Sequence, residues 1–515
     1  MMRNASAKEQ KESLTGQAIR GSFWNTSWGI LQRIGGAIFT IVLARVLLPE
    51  KFGLYNLVLS TALAITIFAD KGINETLTRY LSEYIGKKKE AGKYFRYILG
   101  LKILFISLFS LLLMAAAYPL SYYFFDKPAA FLPMIIAAFF VFIYSLELFF
   151  SGIFFVYKKI YYVSMKESIF QAARITGVLL IFLIGIEMEI AKVFVIMIAS
   201  SILSFCFVII KTRKIAPELF AKTEKLDEMN KKRVFNFLSF FTLTSVSYVL
   251  LGNIDSIMMG RMIEETSTIG LYKAAFALVA SISGLFGFSQ VLLPIFVKIR
   301  NKNLEGAFNK VIRYTMMLAV PASFGLIAVG DYVLALLYGK EYASSYLALA
   351  VLSFMTIFGT QVSLYINLFV TKEKPKAYIS ALASVIIINI ILTYAGIKIF
   401  GGFGREYLIV GVALANILSW AVYSQWLMVL AHKKLGIKTK HGYMFGQIAA
   451  AAVMLGAIYL LRKLIVVSDF FIVNVIYMAL FVIAGVAVYL AALYAIGGVT
   501  KEDIQMIRNI IFRKY

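Results

Sequence analysis

Cysteine is nearly absent. The 515 residues hold one, Cys206, which excludes an internal disulfide and any cysteine metal cluster. Histidine is almost as scarce: His432 and His441 both lie in a basic loop, so no histidine metal site and no cofactor are expected. Acids are few beside bases, 27 against 52, for a net charge of +25. On a soluble chain that excess would point to nucleic acid. Here the bases cluster between apolar runs, where they set orientation and meet anionic lipid, so membrane lipids replace nucleic acid as the expected partner. Met1 to Gly21 is polar and mixed in charge, without the apolar core of a cleavable signal peptide.

What fills the chain is apolar. It is 61% hydrophobic and 15% charged, with a mean hydropathy of +0.81, the composition of an all-α polytopic membrane protein. Fourteen apolar segments are expected at 22–47, 53–81, 97–125, 129–157, 163–186, 190–211, 234–260, 268–297, 310–330, 343–371, 376–399, 406–431, 442–464 and 470–497. Each meets the ~20 residues that a helix needs to cross ~30 Å of hydrocarbon. About 37 of the Lys and Arg residues fall in the N-terminal tail and alternate connections, and about 11 in the connections between. That bias places both termini in the cytoplasm and the chain in the cell (cytoplasmic, or inner) membrane. The tail Thr500–Tyr515 reads as an amphipathic surface anchor.

The sequence also repeats. Gly53-Leu54-Tyr55 returns as Gly270-Leu271-Tyr272, and Lys93-x-x-Arg96-Tyr97 as Lys310-x-x-Arg313-Tyr314, both at an offset of 217. Tyr162-Val163-Ser164-x-x-x-Ser168 returns as Tyr378-Ile379-Ser380-x-x-x-Ser384 at 216, and Ile202-Leu203-Ser204-Phe205 as Ile417-Leu418-Ser419-Trp420 at 215. Matches in one order at nearly one offset mark a duplication. The expected organisation is a cytoplasmic tail (1–21), a first six-helix lobe (22–211), a cytoplasmic linker (212–233), a pseudo-symmetric second six-helix lobe (234–431), two C-terminal helices (432–497) and a cytoplasmic tail (498–515). Six crossings per copy make the copies parallel about an axis along the membrane normal.

This plan resembles the flippase branch of the multidrug/oligosaccharidyl-lipid/polysaccharide (MOP) exporter superfamily. Local patterns carry the likeness: Ala44-Arg45-Val46-Leu47-Leu48-Pro49-Glu50-x-x-Gly53-Leu54-Tyr55, and Asn253-Ile254-Asp255 followed by Gly260 and Ile269-Gly270-Leu271-Tyr272-x-x-Ala275. The resemblance implies a flippase that moves a polyprenyl-phosphate- or pyrophosphate-linked oligosaccharide from the cytoplasmic to the outer leaflet by alternating access. It also implies neighbours among glycan-assembly enzymes, and basic residues of the first lobe that meet the substrate phosphates.

Charge inside apolar segments is costly and normally faces a protein interior or a wet cavity. The duplication separates scaffold from specialisation. Arg33 maps to Leu250, Arg174 to Ile390, and the stretch Asp70 to Arg79 to the almost uncharged 287–296. The first lobe therefore carries charge that the second lacks. Arg33, Asp70, Lys71, Asn74, Glu75, Arg79 and Arg174 are the candidate substrate-binding residues, the bases for phosphate and the amide for sugar hydroxyls. The competing account is internal neutralisation: Lys71, Glu75 and Arg79 form a ladder at four-residue spacing, while Arg33 and Arg174 pair with Asp70 and Glu147. Glu147, Asp255 and Lys273 are candidates for ion coupling or gating. No catalytic constellation and no nucleotide motif stand out, so an enzyme is not expected. The alternatives are a cation-coupled multidrug exporter of the same superfamily and, further off, a membrane glycosyltransferase or polymerase.

Overall fold

The computed structural model describes residues 2–69, 71–221, 224–285, 301–372, 374–440, 442–464 and 470–498, without the side chains of 2–33, 71, 240–249, 285, 301–303 and 375–376. Asp70, the second half of the expected segment 8 and the tail Thr500–Tyr515 lie outside the described residues. Among the described residues every regular element is helical.

The chain divides into two compact units, residues 1–273 and 274–515. The first holds α1 (Met2–Thr66), α2 (Lys71–Tyr84), α3 (Lys88–Pro119), α4 (Phe131–Val156), α5 (Tyr161–Leu183), α6 (Ile190–Ile215), α7 (Glu228–Met262) and the start of α8 (Thr266–Leu285). The second holds the rest of α8, then α9 (Asn301–Leu337), α10 (Tyr346–Leu352), α11 (Met355–Thr371), α12 (Pro375–Phe400), α13 (Arg405–Leu435), α14 (Gly442–Leu464) and α15 (Phe471–Ala495).

Ten of these stretches are long and apolar enough to cross a membrane, or eleven if Lys340–Leu352 and Met355–Thr371, bent by 44°, form one broken span. Three local features separate eleven from the expected fourteen segments, one of them that α7, which holds the expected segment 234–260, does not count as a span among the described residues. Residues Ile34–Tyr84 count as one stretch although the sequence reads two. Helix α5 is 23 residues long, but Lys166, Glu167 and Arg174 make it too polar to count.

Pro49 shapes the first corner. A proline disfavours the α region for the residue before it, and Leu48 takes φ 59° and ψ 169°, so α1 turns there. The turn brings the two copies of the Gly-Leu-Tyr motif face to face within the first unit. A Cβ on Gly53 would stand 1.8 Å from the Thr266 carbonyl oxygen, and one on Gly270 would stand 2.0 Å from that of Pro49. The relation is reciprocal, as a duplicated corner meeting its own copy requires. Lys127, 8% exposed, reinforces the same region by donating to the carbonyls of Phe125 (3.2 Å), Gly260 (3.0 Å) and Ile263 (2.8 Å).

At the other end of α2, Tyr80 and Tyr84 stack on Tyr94 of α3 with centroids 5.0 and 4.6 Å away. Phe95, Phe149, Phe150 and Phe154 extend that buried cluster onto α4. In the second unit α12 and α13 touch backbone to backbone: a Cβ on Gly396 would meet the Gly411 oxygen at 2.6 Å. Small residues at a helix contact permit this approach where lipid supplies no hydrophobic drive. Outward faces are apolar; Ile472, Ile476 and Ile483 of α15 are all more than half exposed.

Candidate functional site

The polar stretch begins where a helix breaks. Ile67–Ala69 form a single 3-10 turn between α1 and α2, and α2 starts at Lys71. The sequence places the weak point at Gly72, but Gly72 lies within α2. A broken helix leaves carbonyls without partners, and in a bilayer each needs one from the protein. Lys102 of α3, fully buried, supplies it: its Nζ donates to the Ala69 carbonyl at 2.9 Å. Lys102 was legible as a base inside an apolar run, but not as the partner of this break.

Asn74, Glu75 and Arg79 follow on α2. The Asn74 carbonyl accepts from Thr78 at 3.0 Å, while its buried side-chain oxygen has no hydrogen-bond partner among the described residues. Glu75 and Arg79 are exposed. The Arg79 guanidinium lies 4.1 Å from the centroid of Phe237 on α7 and 5.8 Å from that of Tyr80. No carboxylate among the described residues pairs with it, so the expected Glu75–Arg79 rung is not formed there. Lys71 and Arg33 are placed by their backbone alone, on α2 and α1.

The most developed part of the site is a buried polar chain. Lys166 Nζ donates to Glu147 Oε1 of α4 at 2.9 Å and lies 3.3 Å from Glu167 Oε2; Ser204 of α6 donates to the same Glu147 oxygen at 2.8 Å. Gln171 donates to Glu167 Oε1 at 2.6 Å, and Arg174 Nε donates to Gln171 Oε1 at 2.8 Å, with an Nη2 bond beside it. Lys166, Glu147 and Glu167 are each no more than 2% exposed. The Arg174–Glu147 pair foreseen under internal neutralisation does not form, because Lys166 occupies Glu147. Sequence alone counts Lys166 among the three bases of the connection 158–166, which hides its place in the core. The signal was present: Glu167, Gln171 and Arg174 stand at spacings of four and three, one face of a helix.

The duplication identifies what is special here. Gln361 of the second copy, the counterpart of Glu147, accepts from Ser424 at 2.6 Å. Positions 147 and 361 are thus each tied to a serine, and only Glu147 adds charge.

Arg174 sits between aromatic rings, 4.0 Å from the centroid of Phe39 and 4.8 Å from that of Phe170. Gly35 of α1 makes room for Gln171 beneath it, and Gly36 lies at ordinary contact distance from Arg174. A Cβ on Gly35 would stand 2.7 Å from Gln171 Cγ, and one on Gly36 would stand 3.9 Å from Arg174 Nη2. Position 33 is three residues before Gly36, so it shares the α1 face that meets α5. Nη1 of Arg174 makes no hydrogen bond among the described residues. The structure therefore joins Arg174, Glu147 and the α1 face bearing position 33, and leaves Arg79 apart, against α7.

Asp255 and Lys273 lie in the duplicated corner. Asp255 Oδ2 accepts from Tyr272 at 2.7 Å, and Lys273 Nζ reaches the Gly252 carbonyl at 3.4 Å; both residues are buried.

Among the described residues the chain is all-helical with many apolar spans, and its first unit holds a buried charged relay. The fold matches a lipid II flippase MurJ in an inward closed conformation, with a TM-score of 0.71 at 19% identity over 92% of this chain and 98% of that one. It also matches an inward-facing MATE-family multidrug resistance transporter of the MOP superfamily, with a TM-score of 0.58 at 12% identity over 81% of this chain and 95% of that one. The chain belongs to the polysaccharide biosynthesis protein family, whose family model matches residues 18–300. A curated relative, the probable low-salt glycan biosynthesis flippase Agl15 of Haloferax volcanii, is 22% identical over 251 residues, 47% of this chain and 50% of that protein. The match thus spans half the length of that relative.

Proposed function

We propose that the protein is a flippase for a polyprenyl-phosphate- or pyrophosphate-linked oligosaccharide. It carries the head group from the cytoplasmic to the outer leaflet of the cell membrane by alternating access, with both termini cytoplasmic. Glycan-assembly enzymes would supply the substrate and consume the product. The fourteen-helix plan, with two six-helix lobes and two further helices, belongs to this reading.

One observation carries it. Arg174 is held inside the first unit by a neutral amide and two rings, and among the described residues no carboxylate pairs with it and its Nη1 makes no hydrogen bond. A planar guanidinium held this way suits a phosphate, which takes two parallel N–H bonds. Glu167 sits one residue further back and orients Gln171. In this reading Arg33 and Lys71 join Arg174 at the phosphates, Asn74 takes a sugar hydroxyl, Asp70, Glu75 and Arg79 border the head group, and Glu147, Asp255 and Lys273 couple or gate. The name of Agl15 and the family match support the same substrate class.

Binding to the purified protein tests the assignment. Arg174→Ala is expected to weaken affinity for a polyprenyl phosphate about tenfold or more, the worth of one charge-assisted hydrogen-bond pair. Arg174→Lys should restore only part of it, because an ammonium lacks the fork. An unchanged Kd for Arg174→Ala removes that residue from the site. The fold shared with MATE transporters favours a second reading, export of drugs against a cation. Drug resistance conferred on a sensitive host, without flipping, would select it.

A further inference from the structure

The second unit contains a pocket of about 520 Å³ at the end of α14, between α14, α9 and the start of α10. Asp331, Tyr346, Gly456, Tyr459, Arg462 and Lys463 line it. We propose that it is a binding site for the phosphate of a membrane lipid, separate from the first-unit site and independent of the flippase reading.

The level is right for a head group. Helix α14 has 23 residues, and at 1.5 Å per residue it is long enough to span ~30 Å of hydrocarbon. Residues 459–463 fill its final turns, where the chain leaves the acyl region. Beside the pocket, Leu460 and Leu464 are 64% and 81% exposed, an apolar face for acyl chains.

The chemistry is also suited. Arg462 donates through Nη1 to the Ala328 carbonyl at 2.6 Å and through Nη2 to Asp331 Oδ2 at 2.7 Å. Two of its five N–H groups are so used, which fixes the guanidinium plane and leaves donors for an incoming oxygen. Asp331 balances the Arg462 charge. Lys463, exposed and 5.0 Å from the centroid of Tyr459, adds one net positive charge at the rim. A single phosphodiester would neutralise it.

Basic and tyrosine residues at a helix end commonly serve as plain interfacial anchors. Three features separate this group from an anchor. Arg462 is drawn inward onto α9 instead of reaching outward. Asp331 corresponds, at the offset of 217, to Met114 of the first copy, so the duplicated scaffold does not require an acid there. Gly456 leaves the wall open, since a Cβ on it would meet nothing within 4 Å.

Gly456 provides the test, because a larger side chain there fills the pocket and touches neither charge. Native mass spectrometry of the full-length protein in detergent counts retained lipid, with phosphatidylglycerol, phosphatidylcholine and soluble glycerol 3-phosphate as probes. The wild type is expected to retain one phosphatidylglycerol beyond its phosphatidylcholine count, with occupancy at least fivefold lower in Gly456→Leu and in Lys463→Gln. Arg462→Gln should act likewise, and size-exclusion profiles confirm that each variant is folded. Undiminished phosphatidylglycerol retention in Gly456→Leu would reduce the cluster to an anchor and overturn the proposal. Displacement of the lipid by equimolar glycerol 3-phosphate would overturn it too, because the site would then be one for soluble phosphate.

Discussion

Gly53→Val is expected to remove most of the folded protein. The new Cβ would overlap the Thr266 carbonyl oxygen at 1.8 Å and approach the Gly270 nitrogen at 2.8 Å. Ordinary overpacking costs about 1–3 kcal/mol because side chains yield. Here both obstructing atoms are backbone, in a corner also held by the Lys127 bonds to Gly260 and Ile263. The cost should therefore exceed that range. Gly100→Val is the control, a helical glycine with nothing within 4 Å of its Cβ position. The monodisperse fraction of a fluorescent fusion on size exclusion measures both. A wild-type profile for Gly53→Val would show that the corner is not packed as described.

Lys166→Met should be the next most damaging change. It leaves Glu147 and Glu167, at 0% and 2% exposure, without the ammonium between them. Removing one partner of a buried ion pair costs about 3–5 kcal/mol, largely from the charge left behind. Adding Glu147→Gln should recover a substantial part of the lost thermal stability. The second copy already carries glutamine at this place, with its serine bond intact. A double variant no more stable than the single one would mean that the two residues are not energetically coupled.

The all-helical, multi-pass character and the repeated Gly-Leu-Tyr motif could be read from the sequence because apolar length and repeated motifs are local patterns, whereas the meeting of the two motif copies could not. The excess charge of the first copy was equally legible, by comparison of the chain with itself. What escaped depends on contacts between distant residues. Lys102 satisfies Ala69 from 33 positions away, and nothing near either residue announces it. The break at Ile67–Ala69 contains neither glycine nor proline, so propensity pointed to Gly72 instead. Lys166 stood at a helix start, where bases usually belong to loops, and only its 2.9 Å contact with Glu147 shows that it is buried. The orphaned acid was visible in an apolar run, and its need for a cation was a clue that sequence alone offered.

The central claim is best tested by flipping itself. The wild type and an Arg33→Ala/Lys71→Ala/Arg174→Ala variant would be reconstituted into vesicles that carry a polyprenyl-pyrophosphate-linked oligosaccharide. Exposure of the sugar to an external lectin would then be followed over time. The wild type should bring the protected inner-leaflet pool to the outside, and the triple variant, equally well folded, should do so at least tenfold more slowly. Equal rates for the two proteins would contradict the assignment of these bases to the substrate phosphates, and no transfer by the wild type would contradict the flippase reading.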